Sequence, residues 1–381
     1  MCNPVNSGMR RVIHVGYQHS STDVRILKKE CTSLAASGKY SVTYVTSDKN
    51  SNGNGFTEGK VEVKVLPLRG RKKMRLIWYL ADVFKYIESC GFEIVHIHEY
   101  LLLPLAAKLI QKGYKVVYDK HENTVGEVSN LFGDGIVGRL AGRFAEKYEN
   151  RIVKKASGFI IVTPYYNSCD ESINDYGTLI PNYPPKGIVN EGLSYDEYLK
   201  NLGVVCFAGG ISNTWSIVKV ARILETDGGF KLLLAGKVDN DYLESISTYT
   251  CTSYLGVLPF EEVADIYKRS FAGVALLNSR VKSLNSLGTL GNTKLFEIMA
   301  SGLPVICSNS LVWQEIIEKY RCGLCVDPND EDAILEAFRY LKDNPQDAYR
   351  MGNRGIDAVK NEYNWELSEV RLLALYESIP N

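Results

Sequence analysis

Along most of this chain, short apolar runs alternate with longer amphipathic segments. The runs are too short for buried helices and are rich in β-branched residues, as is typical of strands covered on both faces. The amphipathic segments repeat their apolar residues every three or four positions, as helices do. The alternation predicts an α/β fold with doubly wound parallel sheets, in which ligands gather at the carboxyl ends of the strands.

The alternation forms two series. In the first, strands are predicted at Arg11–Gly16, Tyr40–Thr46, Val61–Leu66, Glu93–His98, Lys115–Tyr118 and Gly158–Thr163, with a helix from Asp23 to Ser37. In the second, strands are predicted at Gly203–Gly210, Phe230–Gly236, Ala272–Leu277 and Cys322–Asp327, and a last helix at Trp365–Ser378. A proline-rich linker after Ile180 separates them, so we expect two Rossmann-like domains at residues 1–187 and 188–364.

Composition narrows the function classes. Lys plus Arg equals Asp plus Glu at 44 each, which argues against a general nucleic-acid surface, and we expect no nucleic-acid partner. Nine cysteines without framework spacing suit a reducing compartment. The start carries no basic and apolar leader pattern, and no long apolar run occurs, so we expect a cytoplasmic protein that is either soluble or peripheral on the inner face of the plasma membrane.

The stretch from Ser286 to Ile306 carries the clearest chemistry. A glycine-containing loop leads to a short predicted helix, which Asn292 or Thr293 can cap, and the start of a helix favours phosphate. Lys294 adds a positive charge there, and Glu297 lies one turn further in, where a carboxylate can accept two ribose hydroxyl protons. Together they predict a site for a nucleoside diphosphate.

Lys294 to Val305 resembles a motif of the retaining family-4 (group 1) glycosyltransferases of the GT-B fold, many of which act in bacterial surface-polysaccharide synthesis. The resemblance implies two Rossmann-like domains facing each other across a cleft, with helix 365–381 packing back on the first. It also implies that Glu297 binds the ribose of a nucleotide sugar. The residues before it, Asn292, Thr293, Lys294 and Leu295, would line the diphosphate.

The same resemblance implies further site residues. Gly16, Gly209 and Gly210 would let the backbone approach the donor, and Val257 and Leu258 would lie at the base. His121 would face the sugar, so the resemblance gives catalytic roles to His121, Lys294 and Glu297.

Two positions depart from the family pattern. Thr289 stands where the fuller motif has a first glutamate. The segment Ser212–Ser216 lacks the arginine and lysine that usually neutralise the diphosphate, and Lys294, Arg280 or Lys282 would have to compensate.

All five histidines lie in the first 121 residues, mostly near predicted strand ends. For His14 and His96 we expect core positions, whereas His98 is equally compatible with a core and a functional position. A histidine trio also suits zinc, but the spacing follows the strands and the resembling family needs no metal, so we expect none. The acidic triplets Asp239–Asp241 and Asp330–Asp332 are interpreted as helix starts.

Arg69–Leu80 joins a basic cluster to an aromatic and apolar helix start. Such a segment can bind an anionic membrane surface, and it is equally compatible with a solvated loop followed by a core helix.

The predicted function is transfer of a sugar from a nucleotide-diphosphate donor to a hydroxyl of a glycan or lipid-linked acceptor, with retention of configuration as the family implies. No cofactor is expected beyond this donor substrate. Three alternatives remain open: a nucleotide-sugar epimerase of the same architecture, a non-catalytic nucleotide-binding member, and a metal-dependent transferase of another fold.

Overall fold

A computed structural model describes residues 8–17, 19–47, 55–121, 123–133, 135–164, 171–189, 192–278 and 287–381. The chain divides into two compact units, Met1–Pro181 with Ser368–Asn381, and Asn182–Leu367. The sequence placed these boundaries after residue 187 and before residue 365.

Unit 1 contains a mixed sheet with the strand order β3-β4-β2-β1-β5-β6-β7-β8. All neighbouring strands pair in parallel except β3 and β4. The strands are β1 Arg10–Val15, β2 Tyr40–Thr46, β3 Phe56–Glu58, β4 Val61–Val65, β5 Ile94–Ile97, β6 Lys115–Lys120, β7 Gly158–Ile161 and β8 Thr178–Leu179. The helices are α1 Thr32–Ala36, α2 Arg75–Cys90, α3 Leu103–Gln111, α4 Thr124–Phe132 and α5 Ile136–Val153.

Unit 2 contains a fully parallel sheet with the order β11-β10-β9-β12-β13-β14. Its strands are β9 Val204–Ala208, β10 Lys231–Ala235, β11 Thr252–Tyr254, β12 Ala272–Ala275, β13 Val305–Ser308 and β14 Gly323–Val326. Its helices are α6 Tyr195–Leu199, α7 Ile217–Asp227, α8 Asn240–Ser247, α9 Phe260–Lys268, α10 Lys294–Ala300, α11 Leu311–Tyr320, α12 Glu331–Asp343 and α13 Pro345–Asn361. A last helix, α14 Trp365–Ser378, runs from unit 2 into unit 1.

The sheets confirm the doubly wound prediction. In each of them the strand order reverses beside the first strand of its series, between β1 and β5 in unit 1 and between β9 and β12 in unit 2. Ligands of such sheets bind at the carboxyl ends of the strands at this reversal. Ligand sites are therefore expected at these two sheet edges.

Two local predictions differ from the structure. The helix predicted over Asp23–Ser37 begins with a π-helical segment, Val24–Cys31, before α1, and the Asp23 carboxylate accepts a hydrogen bond from the Ile26 amide at 2.9 Å. The predicted linker is partly helical, because a 3-10 turn at Lys186–Ile188 and α6 interrupt it. α6 has both halves of a capping box, a local stabilisation that outweighs the loop-like composition.

None of the described helices is both long and apolar enough to cross a bilayer. Six of the described cysteines are free thiols, and Cys90 is disulfide-bonded. The predicted reducing compartment stays a prediction.

Candidate functional site

In unit 2, the short helix α10 is fixed by the apolar face that it buries. Leu295, Phe296 and Met299 are fully buried, which turns Lys294 and Glu297 toward the surface with 21% and 16% of their side chains exposed. Lys294 Nζ and Glu297 Oε2 are 2.7 Å apart. The opposite charges of these two predicted site residues therefore neutralise each other. Because the Leu295 side chain is buried, residue 295 can offer a ligand only its main chain.

The loop before α10 is held by side-chain bonds to its own backbone. Of the two predicted caps, Thr293 holds the N-cap position but its side chain makes no cap bond, and Asn292 Oδ1 accepts a hydrogen bond from the Lys294 amide at 3.0 Å. Thr289 Oγ1 accepts from the Gly291 amide at 2.9 Å, and Trp313 Nε1 donates to the Thr289 carbonyl at 2.8 Å. The residue that replaces the family's first glutamate thus orders this loop.

The turn after β9 lies directly against Lys294. A Cβ atom added to Gly209 would lie 2.6 Å from Lys294 Cε, and one added to Gly236 would lie 2.0 Å from the Gly209 carbonyl oxygen. Only glycine permits this approach of backbone to backbone and to the lysine stem. The structure therefore brings Gly209, Lys294 and Glu297 together.

The other predicted donor residues of unit 2 are more exposed. Gly210 faces open space, Val257 is 71% exposed, and Leu258 is half-buried against the core. Gly210 follows β9 and Val257 follows β11, so both lie at the edge where the parallel strands end. Arg280 and Lys282, the predicted compensating cations, lie outside the described residues.

In unit 1, the carboxyl ends of β1, β5 and β6 bring His121 into a buried polar group that we call the histidine cluster. It comprises His14, Arg25, Glu30, His96, His98, Asp119 and His121. His121 Nε2 lies 2.7 Å from Asp119 Oδ2, and Arg25 Nη2 donates to both oxygens of Asp119 at 2.9 and 3.2 Å. A carboxylate can only accept a hydrogen bond, so His121 Nε2 donates its proton to Asp119 Oδ2. In the neutral ring, His121 Nδ1 then carries the lone pair.

Three further histidines line up behind His121. His14 Nδ1 and His98 Nε2 are 2.9 Å apart, and the rings of His96 and His98 stack with centroids 4.3 Å apart. Tyr376 of α14 contacts His96 Nδ1 at 2.7 Å and His14 Nε2 at 3.3 Å. The core positions predicted for His14 and His96 are confirmed, and His98 is buried as well while lying 3.4 Å from His121.

The electrostatics of the cluster favour neutral imidazoles. Burial lowers the pKa of His121, lowers those of His14 and His96 well below 6.5, and lowers that of His98 to about 4. Burial alone would raise the pKa of Asp119, but the Arg25 guanidinium and His121 outweigh it and hold this pKa well below its ordinary value. An ionised Asp119 beside a neutral His121 follows.

Glu30 is the cluster residue that the sequence interpretation missed. Its carboxylate is fully buried, 3.0 Å from Arg25 Nε and 3.9 Å from His96 Nε2, and burial, reinforced by Asp119, raises its pKa well above the usual value despite Arg25. A signal was present, because Glu30 lies four residues after Ile26 and four before Leu34, on the buried face of its helix.

Within the part of the chain that the structure describes, two sets of side chains could geometrically hold a metal ion: His14, Glu30, His96 and His98, and His98, Asp119 and His121. The Arg25 guanidinium already lies 3.0 Å from Glu30 and 2.9 Å from Asp119. A metal cation in either set would lie beside this fixed positive charge and would be repelled by it. The two carboxylates are therefore better suited to binding the Arg25 guanidinium than a metal ion. The expectation of no metal stays a prediction.

Access to the cluster is narrow. A cavity of about 10 Å³, enough for roughly one water molecule, is lined by His98, Glu99, Tyr118 and His121 among others. The His121 side chain is 14% exposed. Gly16, predicted to approach the donor, is buried, and its carbonyl accepts a hydrogen bond from the Tyr79 hydroxyl.

Comparisons with known proteins agree with these two units. A family model for the "Glycosyl transferase 4-like domain" matches residues 26–168, and one for "Glycosyl transferases group 1" matches residues 213–358. Sucrose synthase of Nitrosomonas europaea is 34% identical over 85 residues, which cover 21% of this chain and 11% of that protein. The chain therefore matches only a small part of that relative.

Solved structures match along nearly the whole chain. Sucrose-phosphate synthase from Thermosynechococcus elongatus aligns with a TM-score of 0.77 at 17% identity, covering 97% of this chain and 98% of that one. HepE from Anabaena, in complex with UDP and glucose, aligns with a TM-score of 0.70 at 10% identity, covering 96% and 99%. The fold is thus GT-B, as predicted. The two matched glycosyltransferase domains together span most of the chain, and the second of them is of the group 1 type.

Proposed function

We propose that this protein is a retaining, family-4 hexosyltransferase that moves a sugar from a nucleotide-diphosphate donor to a hydroxyl group of a glycan or lipid-linked acceptor. The donor binds unit 2 and the acceptor binds unit 1. The observation that carries the proposal is the Lys294–Glu297 pair, which is partly exposed beside the Gly209 turn at the carboxyl edge of the unit 2 sheet. UDP in the structurally similar HepE supports a nucleotide ligand.

The paired charges suggest how a donor would bind. A diphosphate arriving beside Gly209 would compete with Glu297 for Lys294 Nζ, and the Glu297 carboxylate could then accept hydrogen bonds from the ribose hydroxyls in place of the lysine. Both new contacts are charge-assisted, and one broken ion pair is replaced by two ligand contacts. Asn292, Thr293, Gly210, Val257 and Leu258 would complete the donor site as the family resemblance implies.

Catalysis would then be electrostatic. In a retaining transfer of this kind, the leaving diphosphate deprotonates the acceptor hydroxyl, so no nucleophile of the protein is needed. Lys294 would stabilise the charge that develops on the diphosphate. His121 would contact the sugar, with its neutral ring and its Nδ1 lone pair suited to accept a hydroxyl proton. No metal is required for these steps.

The proposal is tested with a panel of nucleotide sugars, scored by the rise in thermal midpoint and then by transfer to candidate acceptors. Glu297→Ala should raise the donor KM about ten- to a hundred-fold, because it removes charge-assisted hydrogen bonds. Lys294→Ala should lower kcat about a hundred-fold or more, because the departing charge loses its counter-ion.

A matched control lies in the same unit. Asp265 and Lys268 form an exposed pair with the same spacing of three residues, 4.0 Å apart. Asp265→Ala and Lys268→Ala should leave both kinetic constants unchanged. Wild-type kinetics in both site variants would place the donor site elsewhere.

The same assays separate the alternatives. Sugar interconversion without an acceptor would identify an epimerase, and loss of activity in chelator would identify a metal-dependent transferase. Thr289 and the cation-free segment Ser212–Ser216 favour the non-catalytic alternative most directly, because both positions lack charges that the family uses. That alternative predicts a thermal shift with no turnover of any donor.

The proposed setting is the cytoplasm, with peripheral attachment to the inner face of the plasma membrane and no nucleic-acid partner. Surface-polysaccharide synthesis is the role that the family resemblance favours. A lipid-linked acceptor would suit peripheral attachment, since such an acceptor lies at the bilayer surface.

A further inference from the structure

Helix α5 buries small and polar residues along most of its length and exposes apolar ones. Its buried residues include Gly138, Gly142, Glu146 and Glu149, followed by Ile152 and Val153 in the last turn. A surface helix of a soluble domain shows the opposite pattern, because its apolar stripe faces the core. The exposed apolar face of α5 therefore needs an explanation outside the fold of unit 1.

The orientation of α5 is fixed by specific contacts. A Cβ atom at Gly138 would lie 1.9 Å from the Gly133 carbonyl oxygen, and one at Gly142 would lie 2.6 Å from Ser129 Oγ, so this face must pack on the α4 side. Glu149 accepts hydrogen bonds from Tyr118, Lys120 and Thr124 at 2.6 to 2.7 Å. Rotating α5 to bury its apolar residues would break this buried network.

The outward face consists of two parallel ridges with a spacing of four residues. The apolar ridge is Ile136, Leu140, Phe144 and Tyr148, with exposures of 69%, 49%, 71% and 41%. Val137 lies beside it, and Leu131 and Phe132 at the end of α4 are 70% and 60% exposed. The second ridge is basic and consists of Arg139, Arg143, Lys147 and Arg151, all exposed. We call these residues together the α4–α5 surface.

The charge on this surface has one sign. Among the described residues of α4 and α5, the acidic side chains are Glu127, which is half-buried, and Glu146 and Glu149, which are buried. A partner must therefore offer an apolar interior and negative charge beside it. A second copy of this chain is a poor partner, because its own four cations would repel the four cations of the basic ridge. Anionic lipids supply both requirements, since their acyl chains lie under a layer of phosphates.

Helices α2 and α5 begin at the same edge of the unit 1 sheet. Their buried faces join one apolar cluster, and each helix leads directly into a strand, α2 into β5 and α5 into β7. Because each helix ends where its strand begins, both helices begin at the edge where the parallel strands end and His121 lies. Near the start of α2, Met74, Ile77 and Trp78 are exposed together with Arg71.

We propose that the α4–α5 surface of unit 1 docks on an anionic lipid bilayer, with the apolar ridge inserted among the acyl chains and the basic ridge against the phosphates. The helix of the predicted membrane segment Arg69–Leu80 begins at the same edge of the unit 1 sheet as α5. The docking does not require the proposed transfer reaction, because it uses none of the donor residues. It would hold the His121 edge of unit 1 close to lipid head groups.

Co-sedimentation of the full chain with vesicles tests the proposal, using phosphatidylcholine alone or in equal parts with phosphatidylglycerol. Wild type should bind the anionic vesicles, and less in high salt. Arg139→Gln with Arg143→Gln should lower the partition coefficient about thirty-fold. Leu140→Ser with Phe144→Ser should lower it about a hundred-fold or more, because two exposed apolar side chains no longer insert.

Charge- and polarity-matched controls lie elsewhere. Lys200→Gln with Lys231→Gln in unit 2, and Val370→Ser on α14, which is 64% exposed, should leave binding unchanged. All substituted side chains are exposed, so thermal midpoints should match wild type and confirm folding. Vesicle binding is measured without nucleotide, so it is independent of the transfer reaction.

Three results would overturn the proposal. The first is anionic-vesicle binding by the α5 variants that equals wild type, and the second is no binding by wild type. The third is reversible self-association in solution that Leu140→Ser with Phe144→Ser abolishes, which would make a second copy the occupant. If docking is lost while the nucleotide-sugar thermal shift persists, the α4–α5 surface is separated from the donor site.

Discussion

Arg25 is the residue on which the buried charges of unit 1 depend. Its guanidinium contacts Asp119, Glu30 and the Ile180 carbonyl oxygen, the last at 3.1 Å. The planar guanidinium has several N–H donors in fixed directions and can contact all three acceptors, whereas a lysine ammonium cannot. The sequence alone did not reveal this role of Arg25, because its partners come from distant segments.

We expect Arg25→Leu to lower the free energy of unfolding by about 3–5 kcal/mol, because it leaves Asp119 charged and buried without its partner. Glu30→Gln should change it by less than about 1 kcal/mol, since the raised pKa of Glu30 favours a neutral group of the same shape. Urea unfolding monitored by circular dichroism measures both. A Glu30→Gln loss as large as that of Arg25→Leu would mean that Glu30 is ionised in the folded chain.

At the scale of elements, α10 shows how a short helix is kept in place. It covers only Lys294–Ala300, and its stability comes from packing rather than from length. Two glycines of α13 let this helix pack closely on the end of α10. A Cβ atom at Gly352 would lie 1.9 Å from the Gly302 carbonyl oxygen, and one at Gly355 would lie 3.2 Å from the Met299 backbone. The position of Glu297 thus depends on α13.

Gly352→Ala tests this dependence. The added methyl must push α13 and the end of α10 apart, so we expect a loss of about 1–3 kcal/mol in unfolding free energy together with weaker donor binding. Gly187→Ala is the control, because nothing lies within 4 Å of its added Cβ. Thermal unfolding with and without nucleotide sugar reports both effects. Equal behaviour of the two variants would show that the close packing of α13 does not position α10.

At the scale of the whole molecule, the histidine cluster links stability to pH. His14, His96, His98 and His121 all have pKa values below 6.5 in the folded chain. The unfolded chain then binds more protons at mildly acidic pH, so this stabilisation is complete above pH 6.5 and is lost as pH falls toward the folded pKa values. Glu30 acts with the opposite sign, because its raised pKa favours the folded chain at low pH, but it is one group against four.

We therefore expect the free energy of unfolding to fall as pH decreases from about 7 to about 5. His98→Gln, which removes the group with a folded pKa of about 4, should flatten this dependence while keeping a polar side chain at the position. Urea unfolding at a series of pH values measures the slope. An unchanged slope in His98→Gln would mean that His98 does not bind its proton differently in the two states.

The sequence determined the alternation of elements, and with it the two doubly wound sheets, because the apolar periods are local and repeat along the chain. It also placed Lys294 and Glu297 on one helix face, since their spacing of three residues brings them together. The motif Lys294–Val305 indicated the family because it is one continuous stretch of sequence.

Only the tertiary structure decided which distant side chains meet. Glu30, Arg25, Asp119 and the histidines come from separate segments that become neighbours because β1, β5 and β6 lie side by side. The outward apolar face of α5 was equally hidden, because a helical period shows that a face exists but not which way it turns. The glycines that pack on α4 and the bonds of Glu149 decided that direction, since close backbone approach and buried charge admit few alternatives.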